Sequence, residues 1–146
     1  MRKGIFLFIT ITMGVMLSAQ QNCPEPKEEN YKKVMSSAFA EEYKKCPVTI
    51  VAEYFGEGYL TNWRKPYKLK DMYFFQCVNV GEQGKPAPLS NEMAGDFFVI
   101  DKAKADLVLN LKKGDKLKLT GVTFVQNYVG VEMSTFFIVD KVQKIN

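Results

Sequence analysis

The sequence predicts a mainly β domain, a small five-stranded barrel preceded by one N-terminal amphipathic helix. The chain has 146 residues, which suits a single domain with a modest core. Eleven phenylalanines and seven tyrosines favour sheets over helical bundles. After Pro47, five apolar segments rich in β-branched and aromatic residues alternate with loops that contain glycine or proline.

Residues 1–19 have the pattern of a secretory signal peptide. Arg2 and Lys3 precede an apolar run that ends at Leu17, and the small residues Ser18 and Ala19 follow. The run is short for a membrane span. We therefore expect cleavage after Ala19, a flexible lead over 20–27 and one domain over 28–146, exported to the periplasm or secreted.

The three cysteines are Cys23, Cys46 and Cys77. In an oxidising compartment one disulfide and one thiol are expected. Three pairings are possible, and Cys46–Cys77 is favoured because Cys23 lies in the lead; in the alternative, Cys77 is a small buried hydrophobe. Acylation of Cys23 would instead anchor the protein in the cell envelope, although polar residues precede this cysteine where a lipoprotein signal has a small one.

The chain contains no histidine. This removes the commonest general base and the commonest metal ligand, and it excludes nucleophilic machinery of the Ser-His-Asp and Cys-His kinds. The three cysteines have no spacing typical of zinc ligands. The sequence therefore predicts no enzyme, no metal site and no cofactor.

A helix is predicted over 28–45, before the first strand. Its apolar positions recur every three or four residues on one face, and Pro47 ends it. These positions are Tyr31, Val34, Met35, Ala38, Phe39 and Tyr43. We expect this helix to cover one opening or face of the sheet; the alternative is a helix that binds a partner or a membrane.

The five strands are predicted at 48–60, 72–80, 96–102, 114–126 and 129–145, with a short helix or turn within 103–111. Around the fourth strand the chain resembles the OB-fold superfamily in one recurring pattern. It consists of Leu111, Gly114, Asp115, Leu117, Leu119 and Gly121. Gly114 would permit a tight turn, the two later leucines would point inward between outward lysines, and Gly121 would let the strand curl. An SH3-like barrel or a small β-sandwich would give a similar series of strands.

The resemblance implies a ligand site on the second and third strands and on the loops at 58–71 and 126–130. In the first loop, aromatic and cationic residues alternate in a way that could stack on bases or sugars and hold phosphates. The candidate ligand-binding residues are Tyr59, Trp63, Arg64, Lys65, Tyr67 and Lys68. In the alternative, Trp63 and Tyr67 pack over the barrel end and the cations are only solvated.

Charge guides the expectation about partners. Loss of residues 1–19 removes Arg2 and Lys3 and leaves 18 basic against 16 acidic residues, a net charge of +2. Because nucleic-acid binders usually carry a stronger basic excess, nucleic acid is predicted to be an unlikely partner. The sequence thus indicates an exported, non-enzymatic binding or scaffolding module of the cell envelope. Its partner would be a protein or a polymer, with membrane attachment only if Cys23 is lipidated. The alternative is binding of single-stranded nucleic acid or oligosaccharide through the 58–71 loop.

Overall fold

A computed structural model of the chain describes residues 22–58, 71–86, 92–128 and 131–146. The signal peptide predicted at 1–19 lies outside these residues. The strands are β1 (Val48–Glu57), β2 (Met72–Val78), β3 (Lys85–Pro86), β4 (Met93–Ala94), β5 (Asp96–Asp101), β6 (Lys116–Tyr128) and β7 (Val131–Ile145). The helical elements are α1 (Tyr31–Val34), α2 (Asp106–Leu109) and the 3₁₀ turns Ala40–Tyr43 and Lys102–Lys104. The five predicted strands correspond to β1, β2, β5, β6 and β7, and β3 and β4 add a small two-stranded sheet.

The five main strands form a closed barrel in the order β1-β2-β5-β7-β6, which β1 and β6 close by pairing with each other. Its pairs are antiparallel except β5 with β7, which run parallel. A closed five-stranded barrel confirms the predicted mainly β class. It also fits the OB-like barrel better than the β-sandwich named as an alternative, because a sandwich has two separate sheets.

The barrel interior is built from every second residue of each strand. The largest of its fully buried side chains are Ile50, Phe75, Phe98, Ile100, Leu117, Leu119 and Phe137. The rings of Phe75 and Phe137 both lie against Phe98, with centroids 5.5 and 5.6 Å apart. Burial of each such side chain contributes about 1.5–3 kcal/mol to the stability of the fold. Leu117 and Leu119 on β6 thus point inward as predicted. Lys116, on the same strand, is exposed.

Gly121 marks the point where β6 bends against β7. The register steps from Thr120 opposite Lys141 to Gly121 opposite Val139, so Asp140 is an extra residue on β7 and forms a bulge. A Cβ atom on Gly121 would lie 2.0 Å from the carbonyl oxygen of Ile138. The predicted curl is therefore present, and glycine is required by close backbone approach. Positive φ is instead found at Gly114 (95°), as the predicted tight turn demands.

The predicted continuous helix over 28–45 is wrong. The chain makes one α-helical turn at α1, capped by Asn30, whose side-chain oxygen accepts a hydrogen bond from the Lys33 amide at 3.2 Å. Turns follow at Ser36, whose hydroxyl can compete for backbone hydrogen bonds, and the 3₁₀ turn Ala40–Tyr43 comes next. The interruption lets both Val34 and Ala40 reach the interior, where each is fully buried.

The N-terminal segment, residues 27–45, nevertheless covers the barrel as expected. Tyr31, Val34 and Tyr43 belong to the same apolar core as the strand residues. The Tyr31 hydroxyl shares its one proton between Asp96 Oδ2 (2.8 Å) and the Cys77 carbonyl oxygen (3.0 Å), and the Thr123 hydroxyl donates to the Ala40 carbonyl. Burial, followed by the nearby Asp96 carboxylate, raises the pKa of Tyr31, so this hydroxyl stays protonated as a donor.

The disulfide joins Cys23 to Cys46, with their Cα atoms 5.3 Å apart. The predicted Cys46–Cys77 pairing is wrong because Cys77 faces the barrel interior on β2 and is fully buried, which is the alternative considered for it. The lipidation considered for Cys23 is wrong as well, since the disulfide occupies the sulfur atom that acylation requires. Lys27, the last residue of the predicted flexible lead, is also held in place, because its carbonyl accepts a hydrogen bond from the Thr49 amide at the start of β1.

Replacement of Gly121 by valine should destabilise the protein by about 1–3 kcal/mol, because the new Cβ would force β6 and β7 apart. Urea denaturation followed by circular dichroism measures the change. The matched control is Gly56→Ala in β1, where a Cβ would meet nothing within 4 Å. Equal stability of wild type and Gly121→Val would show that the two strands are not in close contact at this point.

The Cys23→Ser, Cys46→Ser double variant should lose about 3 kcal/mol of stability, since the disulfide closes a loop with a sequence separation of 23. A thiol reagent should label no cysteine in the native protein and one, Cys77, after unfolding without reductant. Burial both shields this thiol and raises its pKa. Labelling of Cys23 instead, detected by peptide mass spectrometry, would contradict the pairing.

Candidate ligand-binding face

A second apolar cluster lies on the outside of the barrel, separate from the core. Val99 and Phe136 are its buried centre, at 0% and 1% exposure. Met72, Phe74, Phe97 and Phe124 are half-buried around them. We call the outer surface that these six side chains form on β2 and β5 and on the neighbouring strands the aromatic face. In the OB fold, the corresponding second and third strands carry ligands.

The strand register arranges the aromatic face in rows. Phe97 on β5 is opposite Phe136 on β7, and Phe136 is opposite Phe124 on β6. The rings of Phe97 and Phe136 stack with centroids 5.5 Å apart and an angle of 28° between their planes. On the other side of Phe97 stands Gln76 of β2. One row of side chains therefore crosses four neighbouring strands.

Carboxylates at the ends of β5 are engaged in the fold. Asp96 accepts the hydrogen bond from Tyr31 and lies 3.6 Å from the Lys85 ammonium. Asp101 caps the following 3₁₀ turn by accepting a hydrogen bond from the Ala103 amide at 2.8 Å. Gln76 is similarly fixed, because its side-chain oxygen accepts from the Gly95 amide at 2.9 Å. The middle of the face is thus uncharged in the described part of the chain, with Lys85 near one end of β5 and Lys102 and Lys104 directly after the other.

Sequence reasoning placed a ligand site on the second and third strands but did not identify their outward aromatic side chains, although a signal for them is present. Paired phenylalanines occur three times, at 74–75, 97–98 and 136–137. Since side chains alternate across a strand, each pair places one ring inside the barrel and one outside.

The residues that were predicted to bind ligand lie outside the described residues. They are Tyr59, Trp63, Arg64, Lys65, Tyr67 and Lys68. Beside the ends of the strands that this loop connects, the Tyr73 hydroxyl donates a hydrogen bond to Glu57 Oε1 at 3.3 Å. Burial is the main cause that raises the pKa of Tyr73, which remains a neutral donor there.

The lysines near the start of β6 are occupied in part by the fold. Lys113 lies 4.1 Å from the centre of the Phe55 ring, and Lys118 lies 3.1 Å from a Glu28 carboxylate oxygen. Over the described ranges, no three potential ligands among cysteine and carboxylate side chains come together as a metal site. The helices in those ranges are also too short or too polar to cross a membrane.

Comparisons with protein-family models and with curated proteins give no match. Solved structures do resemble the chain. The second single-stranded DNA-binding protein of Mycobacterium smegmatis is 16% identical, with a TM-score of 0.43 over 68% of this chain and 84% of that one. The N-terminal domain of the PriB protein from Thermoanaerobacter tencongensis, a dimeric structure, is 17% identical, with a TM-score of 0.41 over 68% and 96%. An OBody bound to hen egg-white lysozyme is 7% identical, with a TM-score of 0.46 over 72% and 86%.

The closed five-stranded barrel with the strand order β1-β2-β5-β7-β6 is an OB-like barrel, as the sequence predicted. The prediction that nucleic acid is an unlikely partner is wrong, because a single-stranded DNA-binding protein is among the structures that resemble it. That prediction used the net charge of +2 that remains after loss of residues 1–19. Net charge is a poor guide for this fold, in which aromatic stacking can supply much of the binding energy.

Proposed function

We propose that this chain is a ligand-binding OB domain that holds a single-stranded nucleic acid across its aromatic face. The observation that carries the proposal is the position of half-buried Phe74 and Phe97 on β2 and β5, the ligand-carrying strands of this fold. Every base has an apolar π-face, so an uncharged aromatic surface suits unpaired bases of any sequence.

Cations near both ends of β5 support the same ligand. Lys85 is 76% exposed beside Asp96, and Lys102 follows Asp101. A strand of six residues spans roughly 20 Å. A nucleic-acid strand that lies along β5 could therefore place bases on the rings and phosphates near the lysines at the two ends.

The Phe97→Ala variant should bind a fluorescent oligothymidylate of 15 nucleotides about 5- to 100-fold more weakly than the wild type, because one stacking partner is lost. Fluorescence anisotropy at low salt measures the affinity. Since few phosphates meet cations, affinity should fall only modestly as salt rises, with a logarithmic slope of about −0.7 for each phosphate contact.

The matched control for this measurement is Phe39→Ala. Phe39 is 43% exposed in the N-terminal segment, away from β2 and β5, so its loss should leave the affinity unchanged. The proposal fails if the wild type does not bind the oligonucleotide at low salt, or if Phe97→Ala binds as tightly as Phe39→Ala.

We further propose that the protein is exported to the periplasm or secreted, and that it acts by binding without catalysis. The Cys23–Cys46 disulfide supports this location, because such bonds persist in oxidising compartments. The lack of histidine in the whole chain supports a non-enzymatic role.

The location is tested by production of the full chain in a bacterial host with a secretory pathway. Mass spectrometry of the recovered protein should find Gln20 at its N-terminus and the disulfide formed, because cleavage is expected after Ala19. Full-length chain retained in the cytosol with three reduced cysteines would contradict export.

A further inference from the structure

The end of β7 has a strand neighbour on only one side. The parallel pairing with β5 stops at Ile100 and Val139, whereas the pairing with β6 continues to Ile145. Among the described residues, no other strand takes the place of β5 beside Lys141–Ile145. We call this segment the open edge. Alternate backbone amides and carbonyls of a strand point to each side, so the open edge presents hydrogen-bonding groups that no ladder uses.

A groove of about 610 Å³ runs beside the open edge. Ile100, Leu107 and Val142 supply its apolar lining, and Leu107 of α2 is 39% exposed. Lys104, Lys118 and Lys141 supply its positive charges. The groove thus combines an unpaired strand edge, an apolar wall and cations, which are the features that recognise an extended peptide by strand addition.

The charges around the groove favour an acidic occupant. Lys104 is paired with Asp140, and Lys118 with Glu28. Lys141 makes no ion pair within the described part of the chain, so its charge is available to a ligand. The lining of the groove carries three lysines against two carboxylates, Asp106 on α2 and Asp140, so one positive charge is in excess.

A second copy of the chain is a poor occupant of the same edge. In antiparallel pairing of two open edges about Gln143, Lys141 would lie opposite Ile145 and Lys144 opposite Val142, so neither lysine would face an acidic partner. Lysines on an edge strand are a common guard against such association.

We propose that the open edge accepts an extended segment of another protein as an added strand. Acidic side chains of that segment face Lys141, and its apolar side chains contact Leu107 and Val142. This site is distinct from the aromatic face and does not depend on the function proposed for it.

The test is an NMR titration of the ¹⁵N-labelled protein with a capped seven-residue peptide of alternating glutamate and valine. Amide signals of residues 140–145 and of Leu107 should shift. Lys141→Glu should weaken binding roughly tenfold, because an attraction becomes a repulsion. The matched control Lys112→Glu changes the same charge on the turn before β6, outside the groove, and should bind as the wild type does.

Three outcomes overturn the proposal. The first is an absence of shifts at 140–145, or shifts confined to β2 and the aromatic face. The second is equal binding of a peptide in which lysine replaces glutamate. The third is a set of shifts at 140–145 that depends on protein concentration without peptide, which would identify a second copy as the occupant. The Phe97→Ala measurement with oligothymidylate is unaffected by any of these results.

Discussion

The parallel pairing of β5 with β7 is the constraint on which the rest of the molecule depends. It joins only four residues of each strand, Phe97–Ile100 and Phe136–Val139, yet it links the β1-β2-β5 and β6-β7 parts of the sheet into one barrel. Two phenylalanine pairs meet there in register. Phe98 and Phe137 pack inside the barrel, and Phe97 and Phe136 stack outside it. The same contact therefore holds the core and builds the outer surface.

This double role makes register critical. A slip of one residue between β5 and β7 would exchange inward and outward side chains along the strand, and Asp101 would be brought toward the interior. The bulge at Asp140 and the close approach of Gly121 to Ile138 fix the register of β7 against its other neighbour, β6, because only glycine fits at that crossing. Because β5 pairs with only four residues of β7, the rest of β7 continues beyond the end of β5.

The strands, their order along the chain and the inward leucines of β6 could be predicted from sequence, because alternation of apolar and polar residues is a local signal. The N-terminal helix could not be predicted correctly. Two separate turns place Tyr31, Val34 and Tyr43 against the barrel as well as one helix would, so spacing alone does not distinguish them. The cysteine pairing failed for a related reason. Whether Cys77 faces inward depends on its register with β5, which the spacing of three cysteines does not contain.

Three pairs of adjacent phenylalanines in the sequence indicate the aromatic face. To infer the face from them, however, one must know which strands are neighbours. Phe97 and Phe136 are far apart in the chain and become a pair only once β5 and β7 are known to lie side by side. The candidate residues of the 58–71 loop, Trp63 foremost, remain a prediction.

The link between Cys23 and Cys46 has a consequence for damage to the chain. Exposed lysines such as Lys32 and Lys44 lie between the two cysteines, where a trypsin-like protease could cut. A cut there would leave both pieces covalently joined, so Tyr31 and Val34 could keep their places in the interior. A nicked molecule would survive in an oxidising environment and come apart only on reduction.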